Sequence, residues 1–171
     1  IGRLMLKTLG WRIDGEFPDR SKAIVALVPH SSNIDFLITL AVLWGMGLKS
    51  SFLMKHTLFW FPLGNFLRAM GGIPVNRTSQ NGLVTEVIEE FRQRSKFILG
   101  ITPSGTRKGG GKWKQGFALI AASAKVPVLP AVLYYETRTV RFAPLIEDIL
   151  DVERILTLVR QEAATGMPRS F

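Results

Sequence analysis

Residues 23–28, Ala-Ile-Val-Ala-Leu-Val, form an apolar run that contains no polar position. A strand with one solvent-exposed face alternates polar and apolar residues, whereas a strand covered on both faces is apolar throughout. Ser31, Ser32 and Asn33 follow, all residue types that cap helices, and an apolar helix is predicted over residues 34–46. The pattern predicts a buried strand that turns directly into a helix, as α/β proteins commonly have beside their functional sites.

The alternation of strands and helices continues along the whole chain. Further strands are predicted over residues 51–55, 96–101 and 126–134, with an antiparallel edge strand over 139–142. Helices are predicted over residues 81–94, 116–124 and 148–163. Residues 57–70 read as a kinked or split apolar helix rich in aromatics, for which core packing is favoured over a lipid contact or an apolar tunnel. We expect one α/β domain over residues 1–171, with a mostly parallel central sheet flanked by helices.

Composition narrows the class of partners. The 171 residues carry 22 Lys and Arg against 13 Asp and Glu, a net charge of +9 that favours anionic partners such as nucleic acid, anionic membranes or phosphorylated substrates. The absence of Cys excludes disulfides and cysteine-based zinc sites, and two His make a histidine-rich metal site unexpected. The longest uncharged apolar stretch, residues 36–48, is shorter than the roughly 18–20 residues that span a bilayer.

The first residues combine apolar and basic side chains at helical spacing. Ile1, Leu4, Met5 and Leu9 alternate with Arg3, Lys7 and Arg12, which predicts a short amphipathic helix within residues 1–12. A membrane interface and a position on the protein core suit this helix equally well.

His30 and Asp35 lie at the predicted turn between the buried strand and the apolar helix. An imidazole takes up a proton near neutral pH, and a carboxylate on its other ring nitrogen fixes its tautomer. An Asp in the first helical turn can reach back to a His just before the helix. The pair therefore predicts the base half of a catalytic triad, without a covalent nucleophile.

Two further segments carry cations after predicted strands or turns. Arg77 follows the extended piece 71–76, and Thr106 and Arg107 lie in the glycine-rich loop 102–111 that follows the strand 96–101. Loops at the same ends of parallel strands converge on one crevice. Two guanidinium groups there would hold a phosphate by bidentate hydrogen bonds, and Gly105 permits close approach of the backbone.

Four blocks in this order resemble the glycerolipid acyltransferase family typified by 1-acylglycerol-3-phosphate acyltransferase. The first two are His30 with Asp35, and Gly72-Ile73-Pro74-Val75-Asn76-Arg77. The other two are Gly105-Thr106-Arg107 and the hydrophobic, proline-containing stretch 126–131. Each block is weakly specific alone, but their order and spacing agree over residues 25–135.

The resemblance implies a glycerol-phosphate acyltransferase-like fold and an O-acyltransferase of phospholipid biosynthesis. An acyl group would pass from acyl-CoA or acyl-carrier protein, as co-substrate, to the hydroxyl of a phosphorylated lysolipid, with no other cofactor and no metal. His30 would act as the base, Asp35 would orient it, and Arg77, Gly105, Thr106 and Arg107 would bind the acceptor. The protein would sit peripherally on the cytoplasmic face of an anionic membrane, with no nucleic acid as partner.

Ser104 departs from the family pattern, which has Glu before Gly-Thr-Arg. A serine has no charge with which to support a neighbouring Arg. The departure implies a site that is weaker, adapted to another head group, or inactive.

Alternatives from other functional classes remain. A serine hydrolase elbow and a phosphate-binding P-loop both fail on their residue patterns. Nucleic-acid binding is favoured by the charge and by the basic, aromatic-containing loop 107–114. A non-catalytic basic lipid-binding protein that retains the fold is the third interpretation.

Overall fold

A computed structural model describes residues 2–29, 33–76, 80–103 and 115–166 of the chain. Its strands are β1 (Arg12–Asp14), β2 (Lys22–Val28), β3 (Ser50–Lys55), β4 (Gly72–Val75), β5 (Phe97–Ile101), β6 (Val128–Tyr134) and β7 (Thr139–Phe142). Its helices are α1 (Gly2–Leu9), α2 (Asn33–Gly45), α3 (Leu63–Ala69), α4 (Gln80–Gln93), α5 (Gly116–Ala124) and α6 (Val152–Thr165). A 3₁₀ helix, His56–Leu58, precedes α3. The split that the sequence predicts within residues 57–70 is confirmed.

The strands form one seven-stranded sheet in the order β1-β7-β6-β2-β5-β3-β4. Strands β2 to β6 are mutually parallel, and β7 is antiparallel to β6. The prediction of a mostly parallel sheet is therefore confirmed. We call the end at which these five parallel strands finish the carboxyl edge of the sheet.

The position predicted for the last strand is wrong in one respect. Thr139–Phe142 is antiparallel to β6, as expected, but it does not form the edge of the sheet. The three-residue strand β1 pairs with it in parallel, Arg12 opposite Thr139 and Asp14 opposite Arg141. The short edge strand carries a charged residue at each end, a common way to discourage pairing with another chain.

The apolar run in β2 lies at the centre of the sheet and is covered on both faces. Ala23, Val25 and Leu27 face a core that includes residues of α1 and α2. Ile24, Ala26 and Val28 face a second core, built with α4, α5 and α6. Successive side chains of a strand point to opposite faces of the sheet. A strand between two helical layers must therefore be apolar at every position.

Helices α4 and α6 are amphipathic as predicted, but the start of α6 is shifted. In α4, Val87 and Phe91 are buried and their neighbours on the same face are half-buried. The last helix begins at Val152 rather than Asp148, because the Asp151 side chain caps it by accepting hydrogen bonds from the backbone N–H groups of Glu153 and Arg154. Neither helix lies on the same face of the sheet as α1 and α2.

The prediction that the aromatic side chains between β3 and β4 pack in the core is wrong for several of them. Trp60, Phe61 and Phe66 are 61%, 82% and 60% exposed, whereas Phe59 is half-buried. The connection then turns back at Gly71, where φ is +96° and a Cβ would lie 2.1 Å from the Ser50 carbonyl oxygen. Only glycine fits this position, and the close turn lets β4 pair with β3.

Candidate functional site

Asp35 is the one member of the predicted catalytic pair that lies within the described residues. It occupies the first turn of α2, and its exposed fraction is 0%. Aspartate is almost never fully buried in proteins unless it is paired. A buried carboxyl at a helix start beside the carboxyl edge of the sheet is therefore held there by specific partners.

Tyr135 is such a partner, and the sequence reasoning missed it. Its hydroxyl donates a hydrogen bond to Oδ1 of Asp35 across 100 positions of sequence. The ring of Tyr135 packs edge-on against Trp11, with ring centroids 5.0 Å apart and planes at 89°. These contacts hold the Tyr135 hydroxyl against the Asp35 carboxyl.

The sheet explains why Tyr135 and Asp35 meet. Tyr135 directly follows β6, and β6 lies beside β2, with Val28 opposite Val132. The helix that carries Asp35 begins five residues after β2 ends. Both residues therefore belong to connections at the carboxyl edge. The one sequence signal was the position of Tyr135, a hydroxyl-bearing residue directly after a predicted strand.

The other predicted site residues lie outside the described residues: His30, Arg77, Ser104, Gly105, Thr106 and Arg107. The strands that precede them are described, and all finish at the carboxyl edge. Pro29 follows β2, Asn76 follows β4 and Pro103 lies two residues after β5. The prediction that these segments leave the sheet at one edge agrees with this topology.

The strand order separates the two predicted phosphate-binding segments. β5, which leads to residues 104–107, lies beside β2. β4, which leads to Arg77, stands beyond both β5 and β3. Neighbouring strands are about 4.8 Å apart, so β4 lies roughly 14 Å from β2. β5, which precedes residues 104–107 in the sequence, therefore ends closer to the start of α2 than β4 does.

The described residues contain neither a metal-binding cluster nor a membrane-spanning helix. No group of three or more His, Asp or Glu side chains among them is arranged to hold a metal ion. Within the same part of the chain, each helix is too short or too polar to span a bilayer.

The family of the chain follows from comparison with known proteins. The model of the acyltransferase family matches residues 12–134, which is more than half of the chain. These residues include β1 to β6, α2 to α5 and both residues of the predicted pair. The chain belongs to this acyltransferase family, and the predicted resemblance to glycerolipid acyltransferases is confirmed.

Two relatives are informative. A 1-acyl-sn-glycerol-3-phosphate acyltransferase from Cocos nucifera is 26% identical over 140 residues, covering 77% of this chain and 44% of the relative. The chain thus spans less than half the length of that curated relative. The crystal structure of PlsC, the 1-acyl-sn-glycerophosphate (LPA) acyltransferase of Thermotoga maritima, has a TM-score of 0.59 and 20% identity. That match covers 98% of this chain and 78% of PlsC, and it supports the α/β fold.

Proposed function

We propose that the protein transfers an acyl group from an acyl thioester to the hydroxyl of a phosphorylated lysolipid, with lysophosphatidate as the first acceptor to test. The observation that carries this proposal is the buried Asp35 carboxyl, held by Tyr135 at the carboxyl edge of the sheet. The chain belongs to an acyltransferase family and has a histidine, His30, five residues before Asp35. The Asp35 carboxyl therefore has the position expected of a group that orients a catalytic base. Acyl-CoA and acyl-carrier protein are both suitable donors.

In the proposed reaction His30 removes the proton from the acceptor hydroxyl as the oxygen attacks the thioester carbonyl carbon. An alcohol is scarcely ionised at neutral pH, so a positioned base accelerates this step by about 10²–10⁴-fold. The tetrahedral intermediate then expels the thiolate, which receives the proton from His30. One C–O bond forms and one C–S bond breaks, and the products are the acylated lipid and the free thiol.

Asp35 would accept a hydrogen bond from the far nitrogen of His30 and stabilise the imidazolium that forms. Tyr135, by donating to Oδ1 of the same carboxyl, would restrict its rotation. The tetrahedral oxyanion also needs donors, and backbone N–H groups near the start of α2, around residues 31–33, suit this role because a helix N-terminus favours negative charge.

The acceptor phosphate is assigned to Arg77 and Arg107, with Gly105 and Thr106 supplying backbone and hydroxyl donors. Such contacts convert binding energy into orientation of the hydroxyl. The absence of a carboxylate at Ser104 leaves the positive charge of Arg107 less compensated. We assign the protein to the cytoplasmic face of a membrane, where α1 would lie in the interface through Leu4, which is 67% exposed.

The test supplies labelled acyl-CoA with lysophosphatidate, glycerol 3-phosphate and monoacylglycerol in parallel. We expect acylated product from a phosphorylated acceptor and little from monoacylglycerol, which has no phosphate. Binding of lysophosphatidate without product, from either acyl-CoA or acyl-carrier protein, would overturn the proposal in favour of a non-catalytic lipid-binding protein. Ser104→Glu in the same assay distinguishes a weakened site, whose rate on lysophosphatidate rises, from one adapted to another head group.

Replacing Arg107 with alanine is expected to raise KM for the phosphorylated acceptor by about tenfold to a hundredfold, since a charge-assisted contact contributes about 1.5–3 kcal/mol. The KM for the acyl thioester should change little. Arg92→Ala is the matched control, because Arg92 is exposed on α4, on the opposite face from α2. An equal effect of the two substitutions on KM would contradict the assignment.

Replacing Tyr135 with phenylalanine tests its positioning role. We expect kcat to fall about tenfold with KM unchanged, and the free energy of unfolding to fall by about 1–3 kcal/mol, because the Asp35 carboxyl loses a donor. Tyr134→Phe is a closely matched control, since the neighbouring hydroxyl bonds instead to Thr165 Oγ1, at 2.9 Å and exposed. Equal values of kcat for the two variants would contradict the role assigned to Tyr135.

A further inference from the structure

Exposed apolar side chains are concentrated in one layer of the molecule. Among the described residues, ten large apolar side chains are exposed, and eight of them belong to α1, α2 or the connection between β3 and β4. These eight are Leu4, Leu9, Ile34, Leu37, Leu58, Trp60, Phe61 and Phe66. α1 and α2 contribute to one core, and Met70, at the end of α3, packs against the same core. We call these elements the α1–α3 layer.

The most exposed aromatics of this layer are presented by an ordered turn, residues 58–66, which we call the aromatic turn. Phe61 is 82% exposed and Trp60 is 61% exposed. In the first turn of α3, the backbone N–H of Gly64 donates to the Trp60 carbonyl oxygen at 2.7 Å. A Cβ at Gly64 would lie 2.5 Å from the Phe59 carbonyl oxygen, so the turn closes tightly there.

Phe59 anchors the aromatic turn to the body of the protein. A Cβ on Gly72 of β4 would lie 3.2 Å from the tip of the Phe59 ring, and the Arg68 guanidinium lies 5.2 Å from the centre of that ring. One aromatic is therefore packed down while its two neighbours project outward. Exposed side chains on a fixed support lose little conformational freedom when they bind a surface.

Charge distinguishes this layer from the opposite one. Residues 36–85 contain no Asp or Glu. Helices α1 to α3 carry Arg3, Lys7 and Arg68 against the buried Asp35, a net charge of +2, whereas α4 to α6 have a net charge of −2. Lys55 and Arg68, which flank the aromatic turn in sequence on either side, are both exposed. The apolar surface therefore has a basic margin.

The position of the aromatic turn relates it to the site. β3 ends at Lys55, so the turn follows a strand that finishes at the carboxyl edge, as β2 and β5 do. A surface that contacts the aromatic turn would therefore lie beside the edge at which β2, β4 and β5 end, the strands that precede residues 30, 77 and 107 in the sequence. The opposite, amino end of the sheet contributes none of these residues.

We propose that the aromatic turn docks on an anionic lipid bilayer, with Trp60, Phe61 and Phe66 in the interfacial region and Lys55 and Arg68 against the lipid phosphates. Tryptophan and phenylalanine beside basic residues are typical of interfacial surfaces. A second copy of the chain fits less well, because a two-fold interface would bring the same basic residues together. The proposal rests on the proposed function in that the bilayer would supply the lysolipid acceptor.

The test measures co-sedimentation with vesicles of phosphatidylcholine alone and of phosphatidylcholine with phosphatidylglycerol, in the absence of acyl donor. We expect wild type to bind the anionic vesicles. The partition coefficient of the double variant Trp60→Ala, Phe61→Ala should be lower than that of wild type by at least about tenfold. Leu150→Ala is the matched control. Leu150 is 83% exposed and lies four residues after Ile146, which bridges to Val128 at the amino end of β6.

The outcomes separate this proposal from the catalytic one. Vesicle binding requires no turnover, so it can succeed where the acyltransferase assay fails. Acylation of a short-chain, water-dispersed lysolipid should be unchanged in the double variant, and its thermal unfolding should match wild type because both side chains are exposed. Wild-type partitioning of the double variant would overturn the proposal. So would a dimer in vesicle-free solution that the double variant abolishes, since the turn would then bind a second copy.

Discussion

Replacing His30 with alanine is expected to lower kcat for acylation of lysophosphatidate by about 10²–10⁴-fold, with little change in KM. The reason is that the base acts in the transition state and contributes little to binding of the ground state. Initial rates at saturating acyl thioester measure the effect. The stability of the variant should be close to that of wild type, which thermal unfolding checks.

His56→Ala is the control for this experiment, because the chain contains only two histidines. His56 is exposed in the 3₁₀ helix after β3 and forms no part of the site proposed for the reaction. We expect the His56 variant to retain wild-type kcat on a water-dispersed acceptor. A wild-type rate for the His30 variant would contradict the account.

The second large effect is expected for Asp35→Asn. An amide cannot accept from the imidazole in the way a carboxylate does or stabilise the imidazolium, so kcat should again fall by about 10²–10⁴-fold. The amide oxygen still accepts the hydrogen bond from Tyr135, so the free energy of unfolding should change by only about 1 kcal/mol. Asp35→Ala, which removes that acceptor and leaves a cavity, should lose about 2–4 kcal/mol.

Asp148→Asn is the control for the charge change, since Asp148 is exposed and its ion pair with Arg154, at 3.3 Å, lies outside the site. Equal kcat values for the Asp35 and Asp148 variants would contradict an orienting role for Asp35. Chemical denaturation of all three variants separates loss of activity from loss of fold.

The fold was predictable where the pattern is local. The unbroken apolar run 23–28 requires cover on both faces, and β2 has it in full. The amphipathic spacing of residues 81–94 predicts α4 within one residue at each end. In each case a short window of sequence carries the periodicity of the element and its burial together.

The edge of the sheet was not predictable in the same way. β1 is three residues long and has one apolar position, Ile13, between two charged ones. No periodicity can be read from so short a segment. Its pairing with β7 joins residues more than 120 positions apart, so only the folded chain reveals that β7 is an inner strand.

The candidate site was also only partly predictable from the sequence. The spacing of His30 and Asp35 was visible in the sequence, but the hydrogen bond from Tyr135 depends on the adjacency of β6 and β2. The burial predicted for the aromatics of the aromatic turn was wrong for another reason. Apolar content predicts burial on average, but it does not distinguish Phe59, which packs against β4, from Phe61, which projects into solvent.

The central claim is that His30 and Asp35 activate an acceptor hydroxyl for direct attack, without a covalent acyl-protein. Initial rates over a grid of acyl thioester and lysophosphatidate concentrations test it most directly. Direct transfer requires both substrates to be bound together, so the double-reciprocal lines should intersect. Parallel lines, the kinetic signature of a covalent acyl-enzyme, would contradict the account.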